Sequence, residues 1–175
     1  MISDKNPNLY ENCFYSGVHF ILLELKRKNS YYNYHFISFN KYSISELMPH
    51  MLLFRLNRQK STPTIIIADK TTLPLAKFYF NNINSIFAVL HDSLKIEHII
   101  DLLTYDNYLT PPFRLIDNKI NGLTINEVIV LDLMLTGKSA HYIGKHLKCS
   151  EKTIHSIKMN ILKKMKIKKL NDLIN

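Results

Sequence analysis

The last third of the chain carries helix-end signals at spacings that leave little freedom of fold. Thr124 and Glu127 stand three residues apart. The hydroxyl of the first can accept from the third helical amide while the carboxylate reaches back to the Thr124 N–H, so the pair predicts a capping box. Val128, Leu131 and Leu135, with Met134, follow at helical spacing and predict an apolar face ending near Thr136. Gly137 then stands where a helix C-terminus calls for positive φ. Ser139 predicts the cap of a second, short helix carrying Ile143 and Leu147, and Lys148-Cys149 a turn. Ser150 predicts the cap of a third helix running to about Met165, in which Ile154, Ile157, Ile161 and Met165 recur toward a core. A last segment puts Leu170, Leu173 and Ile174 on one side. Short capped helices in this order predict a small all-α module.

Charge is concentrated in the same region. The chain has 175 residues and a formal charge of +9, and from Lys119 onward it holds eleven lysines against four acids, a net +7. A small module holding most of the charge is the footprint of a polyanion binder. Hydrophobic residues make up 46% and charged residues 21%, a balance that suits a globular rather than a disordered chain. No apolar run approaches the roughly 18 residues that span a bilayer, and Met1-Ile2-Ser3-Asp4 lacks the basic start of a signal peptide. The expected location is the cytoplasm. Cys13 and Cys149 suggest no disulfide framework and are read as free thiols that mainly pack.

The third helix separates into faces. Lys152, His155, Ser156, Met159 and Lys163 form a stripe away from the apolar one. Early side chains of such a helix suit a major groove and lysines suit phosphates. The run Leu123-Thr124, Glu127, Leu131, Gly137, Lys138-Ser139, Ile143, Leu147, Ser150, Lys152-Thr153-Ile154, Asn160-Ile161, Lys164-Met165, Ile167 resembles the LuxR/NarL-type helix-turn-helix over about 50 residues without a gap. The resemblance implies a four-helix, DNA-binding module with Glu151 to Met165 as recognition helix. It puts His155, Ser156 and Met159 where bases are read, and Lys152, Thr153, Lys158, Lys163 and Lys164 at the backbone. Departures are Ile129 in place of a second acid, Ile157 in place of a frequent His, and the use of Lys alone, which removes the bidentate guanine contact of Arg.

Upstream, β-like and α-like stretches alternate. Asn8 to Leu25 predicts a helix with Phe14, Val18, Ile21, Leu22 and Leu25 on one face, Tyr34 to Phe39 a strand, and Ser45 to Leu56 a helix. Thr64 to Ala68 predicts a strand buried on both faces, Pro74 to Phe80 a helix, Ser85 to Leu90 a strand and Lys95 to Leu103 a helix. The alternation predicts βαβ units on a parallel sheet. The expected organisation is an α/β domain over 1–109, a linker over 110–121, and the helix-turn-helix over 122–175.

Regulators with this helix-turn-helix often carry a receiver domain, and the first 109 residues resemble an abbreviated one, as in the small enterobacterial LuxR-type regulators. Lys5 stands where a second acid is expected, and a Lys there competes with Mg²⁺ for the remaining carboxylate. In Ala88-Val89-Leu90-His91-Asp92, which resembles the fifth receiver strand, His91 takes the place of the Lys. Asp69 ends a strand-like run, yet too few elements follow it for it to sit at the phosphoacceptor position. The expectation is a degenerate receiver that takes up no phosphate, and the alternative is phosphorylation at Asp69.

The expected function is therefore sequence-specific binding of double-stranded DNA and regulation of transcription, by a homodimer or a heterodimer with a related regulator. Leu170 and Leu173 are expected as a dimer contact. A protein-interaction adaptor is the alternative outside DNA binding. No nucleophile–base signature, Gly-rich phosphate loop or metal-ligand spacing appears, so neither enzyme activity nor a cofactor is expected. A chain with no Trp also departs from the ligand pockets of autoinducer sensors.

Overall fold

In the computed structural model, residues 7–28, 34–49, 51–52, 62–105 and 120–173 are described. Helix α1 (Pro7–Arg27) begins at a proline, whose fixed φ suits a first helical turn. Strand β1 (His35–Phe39) leads into a 3₁₀ helix, Lys41–Leu47, capped by the Asn40 side chain, which accepts from the amides of Tyr42 and Ser43. Then come β2 (Thr64–Ala68), α2 (Leu73–Asn82), β3 (Ile86–His91) and α3 (Ile96–Tyr105). The C-terminal part holds α4 (Ile125–Leu135), α5 (Ala140–His146), α6 (Glu151–Met165) and a 3₁₀ helix, Leu170–Leu173.

Among the described residues the strands form one parallel sheet in the order β1-β2-β3, with Phe36 beside Ile65 and Ile65 beside Ala88. The sheet is covered on both faces, as a parallel sheet requires. Phe36, Ile65, Ile67, Ala88 and Leu90 face α1 and α3, where Ile21, Leu25, Ile99, Ile100 and Leu103 complete one core. Ile37, Phe39, Ile66, Ala68 and Val89 face the other way, against Ile44, Leu47, Leu75 and Tyr79. This second core runs on without a break into the helix-turn-helix through Leu123, Val128, Leu131, Ile154, Ile161 and Met165. β2 is buried along its whole length, as its β-branched run predicts.

The sequence expectations and the structure differ in three places. The helix expected at Ser45 to Leu56 starts earlier, at Lys41, because Asn40 caps it. The 3₁₀ stretch ends at Leu47, Met48 is extended with ψ 153°, and the chain is helical again at Pro49, Met51 and Leu52, so Pro49 opens this second stretch, where a proline is tolerated; residues 50 and 53–56 lie outside the described ones. Cys13 is exposed rather than packed, while Cys149 is half-buried. The Leu170–Leu173 helix, expected to offer a dimer contact, packs on the 3₁₀ helix Lys41–Leu47, and Leu173 is buried inside the chain. Most of the expected linker, and the Asp4-Lys5 region, fall outside the described residues. Among the described residues no helix is long and apolar enough to cross a membrane.

Tyr79 fastens α2 to the first 3₁₀ helix. Its hydroxyl donates to the Leu47 carbonyl at 2.5 Å and its ring packs edge-on to Phe39. Burial first, and the charge of Asp132 second, push the phenol above its ordinary pKa, so it remains a donor. Tyr79→Phe leaves the buried carbonyl without its partner and is expected to cost about 1 to 3 kcal/mol in urea unfolding with an unchanged m-value.

Candidate nucleic-acid interface

The helix-turn-helix is set by its caps. Thr124 Oγ1 accepts from the Glu127 amide at 3.3 Å, and Glu127 Oε2 accepts from the Thr124 amide at 2.7 Å, completing the capping box. Gly137 has φ +78°, the left-handed conformation that its position predicts. Ser139 and Ser150 cap α5 and α6 by accepting from the Tyr142 and Thr153 amides. The turn between them bends at Lys148, φ 53°, and is closed by Cys149 N–H donating to the Gly144 carbonyl at 2.9 Å. His141 Nδ1 lies 2.7 Å from Glu151 Oε1, joining the first turns of α5 and α6.

Helix α6 buries Ile154, Ile161, Leu162 and Met165, with Ile157 packed partly against the same core. On its other side Lys152, Thr153, His155, Ser156, Met159 and Lys163 are exposed, Met159 by 57%. Lys152, His155, Ser156, Met159 and Lys163 share one helical stripe. The structure therefore brings these predicted residues together. Thr153 stands at the first turn, its hydroxyl 2.9 Å from that of Ser150, and the Ser156 hydroxyl donates back to the Lys152 carbonyl at 3.1 Å. Lys158 is half-buried at the flank.

Lys164 departs from its neighbours. Its ammonium donates to Glu127 Oε2 at 2.7 Å and to the Gly122 carbonyl at 3.0 Å. The side chains of this ion pair are 19% and 7% exposed. Expected at the DNA backbone, Lys164 instead holds the capping-box carboxylate, because the helical twist turns position 164 toward α4 when 163 faces solvent. Sequence reading also missed a cluster formed by Tyr142 and His146 of α5 with Lys138, just ahead of its cap. Tyr142, half-exposed, stacks on His146 with centroids 6.3 Å apart, and Lys138 Nζ lies 5.3 Å from the Tyr142 centroid. The signal was available in the i, i+4, i+8 spacing of Lys138, Tyr142 and His146.

In the α/β domain, Asp69 follows the central strand. Its carboxylate accepts from the amides of Lys41, Thr71 and Thr72 at 3.0, 2.9 and 2.8 Å and from the Thr72 hydroxyl at 3.0 Å. It thus ties the end of β2 to the start of α2 and to the segment after β1. Asp92 follows β3. Burial pushes its carboxyl above the ordinary range, the neighbouring His91 pulls it down and the Asp69 charge pushes it up. His91 Nδ1 is 3.0 Å from Asp92 Oδ1 and 2.7 Å from the Ser93 hydroxyl.

These features define a helix-turn-helix regulator, and residues 121–175 match the luxR family of bacterial regulatory proteins. Residues 8–105, more than half of the chain, match the EcpR N-terminal domain, and the chain belongs to that family. No curated protein matches the chain. The chain also matches three solved structures at low identity. One contains two RcsB dimers bound to two parallel DNAs (17% identity, covering 82% of this chain and 73% of that one, TM-score 0.47). Another is full-length FixJ from B. japonicum (20% identity, 71% and 64% covered, TM-score 0.29). A third is the response regulator ChrA of a heme-sensing two-component system (15% identity, 81% and 72% covered, TM-score 0.29).

The adjacent lysines supply a test of this geometry. Lys164→Ala leaves Glu127 buried without its cation and is expected to cost about 3 to 5 kcal/mol in chemical unfolding. Lys163→Ala, at an exposed position, is expected to change stability by no more than about 0.5 kcal/mol.

Proposed function

We propose that this chain is a sequence-specific regulator that reads double-stranded DNA with α6 in the major groove and is not switched by phosphorylation. We further propose domain limits of 1–109 and 122–175 around a linker at 110–121, and action in the cytoplasm as a homodimer or a heterodimer with a related regulator. The observation that carries the reading is the exposed face of a capped helix in a luxR-family module. Lys152, His155, Ser156, Met159 and Lys163 share that face with no acidic side chain on the stripe. His155, Ser156 and Met159 are assigned to base edges, with the Met159 thioether placed to meet an apolar group such as a thymine methyl. Lys152, Thr153, Lys158 and Lys163 are assigned to the phosphates, while the ion pair of Lys164 makes it a support for that face. The dimer follows from the way such modules read paired half-sites.

Phosphorylation independence is supported by the state of Asp69. A phosphoacceptor needs a carboxylate oxygen free to attack phosphorus and a metal beside it. Here both oxygens accept hydrogen bonds from the chain itself, so phosphorylation would break the junction of β1, β2 and α2.

Two experiments test the reading. In fluorescence anisotropy with promoter DNA, Lys152→Glu and Lys163→Glu are expected to weaken binding at every sequence. Removing one lysine–phosphate interaction is expected to lower the slope of log K against log salt by about 0.9. Met159→Ala is expected to alter the preference among sequences and leave the salt slope unchanged. Binding that survives both charge reversals would move the DNA surface off α6. In the second, acetyl phosphate and Mg²⁺ are expected to leave the intact mass unchanged; a stable adduct abolished by Asp69→Asn would restore the phosphorylated reading.

A further inference from the structure

We propose that the cleft between the α/β domain and the helix-turn-helix binds a small, multiply phosphorylated ligand, and that the occupied cleft withdraws Lys163 from DNA. The cleft has a volume of about 850 Å³, within the ~300–1,000 Å³ typical of small-molecule sites. One wall carries Lys70, just past the end of β2, and His91, the last residue of β3. The other wall carries Lys163, Lys164 and Lys166 from the C-terminal end of α6. Glu127 also lines it, but its carboxylate is already held by Lys164. Among the described residues no carboxylate forms an ion pair with Lys70, Lys163 or Lys166.

The place in the fold points the same way. β2 and β3 run parallel and their C-terminal ends open into the cleft. Ligands of open α/β sheets gather outside the carboxyl ends of the strands. Docking also draws ammonium groups from two parts of the chain around one space, and like charges brought together there repel. A monovalent anion neutralises one of them. A ligand with several phosphate oxygens meets both walls at once through charge-assisted hydrogen bonds. Such a ligand stabilises the docked arrangement by mass action. Lys163 belongs to the cleft and to the exposed stripe of α6, so ligand and DNA phosphate compete for it. This last step rests on the assignment of that stripe to DNA made above.

The test uses the full chain, with pyrophosphate and ATP as probes at constant ionic strength. Calorimetric titration is expected to show saturable binding, and thermal unfolding a rise in Tm that saturates with the probe. The double variant Lys70→Ala/Lys166→Ala is expected to lose both responses while keeping its DNA affinity in the absence of probe. Lys152→Ala is expected to keep both. Pyrophosphate is expected to weaken DNA binding several-fold in the unsubstituted chain and to leave that of the double variant unchanged. Lys70→Gln/Lys166→Gln gives the same readouts if the alanine pair is unstable. The proposal is overturned if the Tm rise follows ionic strength alone, if either double variant binds the probes as the unsubstituted chain does, or if Lys152→Ala abolishes binding, which would place the anion on the DNA face. A chain that bound no DNA would refute the assignment of α6, and the titration would still decide the cleft.

Discussion

One carboxylate organises the C-terminal half of this protein. Glu127 closes the first turn of α4 by accepting from the Thr124 amide, and the same Oε2 accepts from Lys164 near the end of α6. A capping box ordinarily concerns one helix end. Here it becomes a junction of α4, α6 and the segment that enters the module, since Lys164 also donates to the Gly122 carbonyl. A charge taken out of water is costly unless it is paired and hydrogen-bonded. Glu127 meets that condition only when α6 lies across α4, so the pair specifies the crossing of these helices as well as holding it. The exposed face of α6 depends on this, because the C-terminal half of the helix is fixed by Lys164, Leu162 and Met165 while Lys152, His155, Ser156 and Met159 project into solvent.

The same junction continues into the α/β domain. The Leu123 amide donates to the Pro74 carbonyl in α2 at 2.9 Å. Next to it Gly122 lies so close to α2 that an added Cβ would fall 2.7 Å from Lys77 Cγ. Gly122 is therefore a close-approach residue: a side chain there would push the module off α2. Buried apolar contacts then carry the connection, with Leu123 and Val128 in the same core as Leu75 and Tyr79. The two halves have different architectures but share a hydrophobic core.

Local physics explains which parts of this were legible in the sequence. Thr124, Gly137, Ser139 and Ser150 act within three or four residues of themselves, and the helix starts and stops that they predict are found. The Ile65-Ile66-Ile67 run predicts a strand covered on both faces, and the two halves of its alternation face different cores. Long-range pairings left no such mark. Lys164 has the composition of any lysine in a basic stripe, and only its partner 37 residues away distinguishes it from Lys163. Asp69 looks like any acid at the end of a strand; that it ties the segment after β1 to the start of α2 shows only in its donors at Lys41, Thr71 and Thr72, one of them 28 residues distant. The 3₁₀ character of Lys41–Leu47 was hidden for a related reason. The apolar spacing of Ile44 and Leu47 suits any helix, while the Asn40 cap that shifts the start is polar and lies outside that pattern.

The burial of Leu173 constrains how a dimer can form. With the two halves docked, the Leu170–Leu173 helix packs on the 3₁₀ helix Lys41–Leu47, and Leu173 is 2% exposed. A dimer built on Leu173 therefore requires the module to leave the α/β domain, breaking the Leu123–Pro74 hydrogen bond and opening the shared core. A dimer built on the outer side of α1, where Tyr15, Phe20 and Leu23 are exposed, requires no such opening. The two geometries place α6 differently with respect to its symmetry mate, and half-site spacing follows that placement. The docking of the two halves thus bears on assembly as well as on stability: in the docked state Leu173 is not available to a second copy.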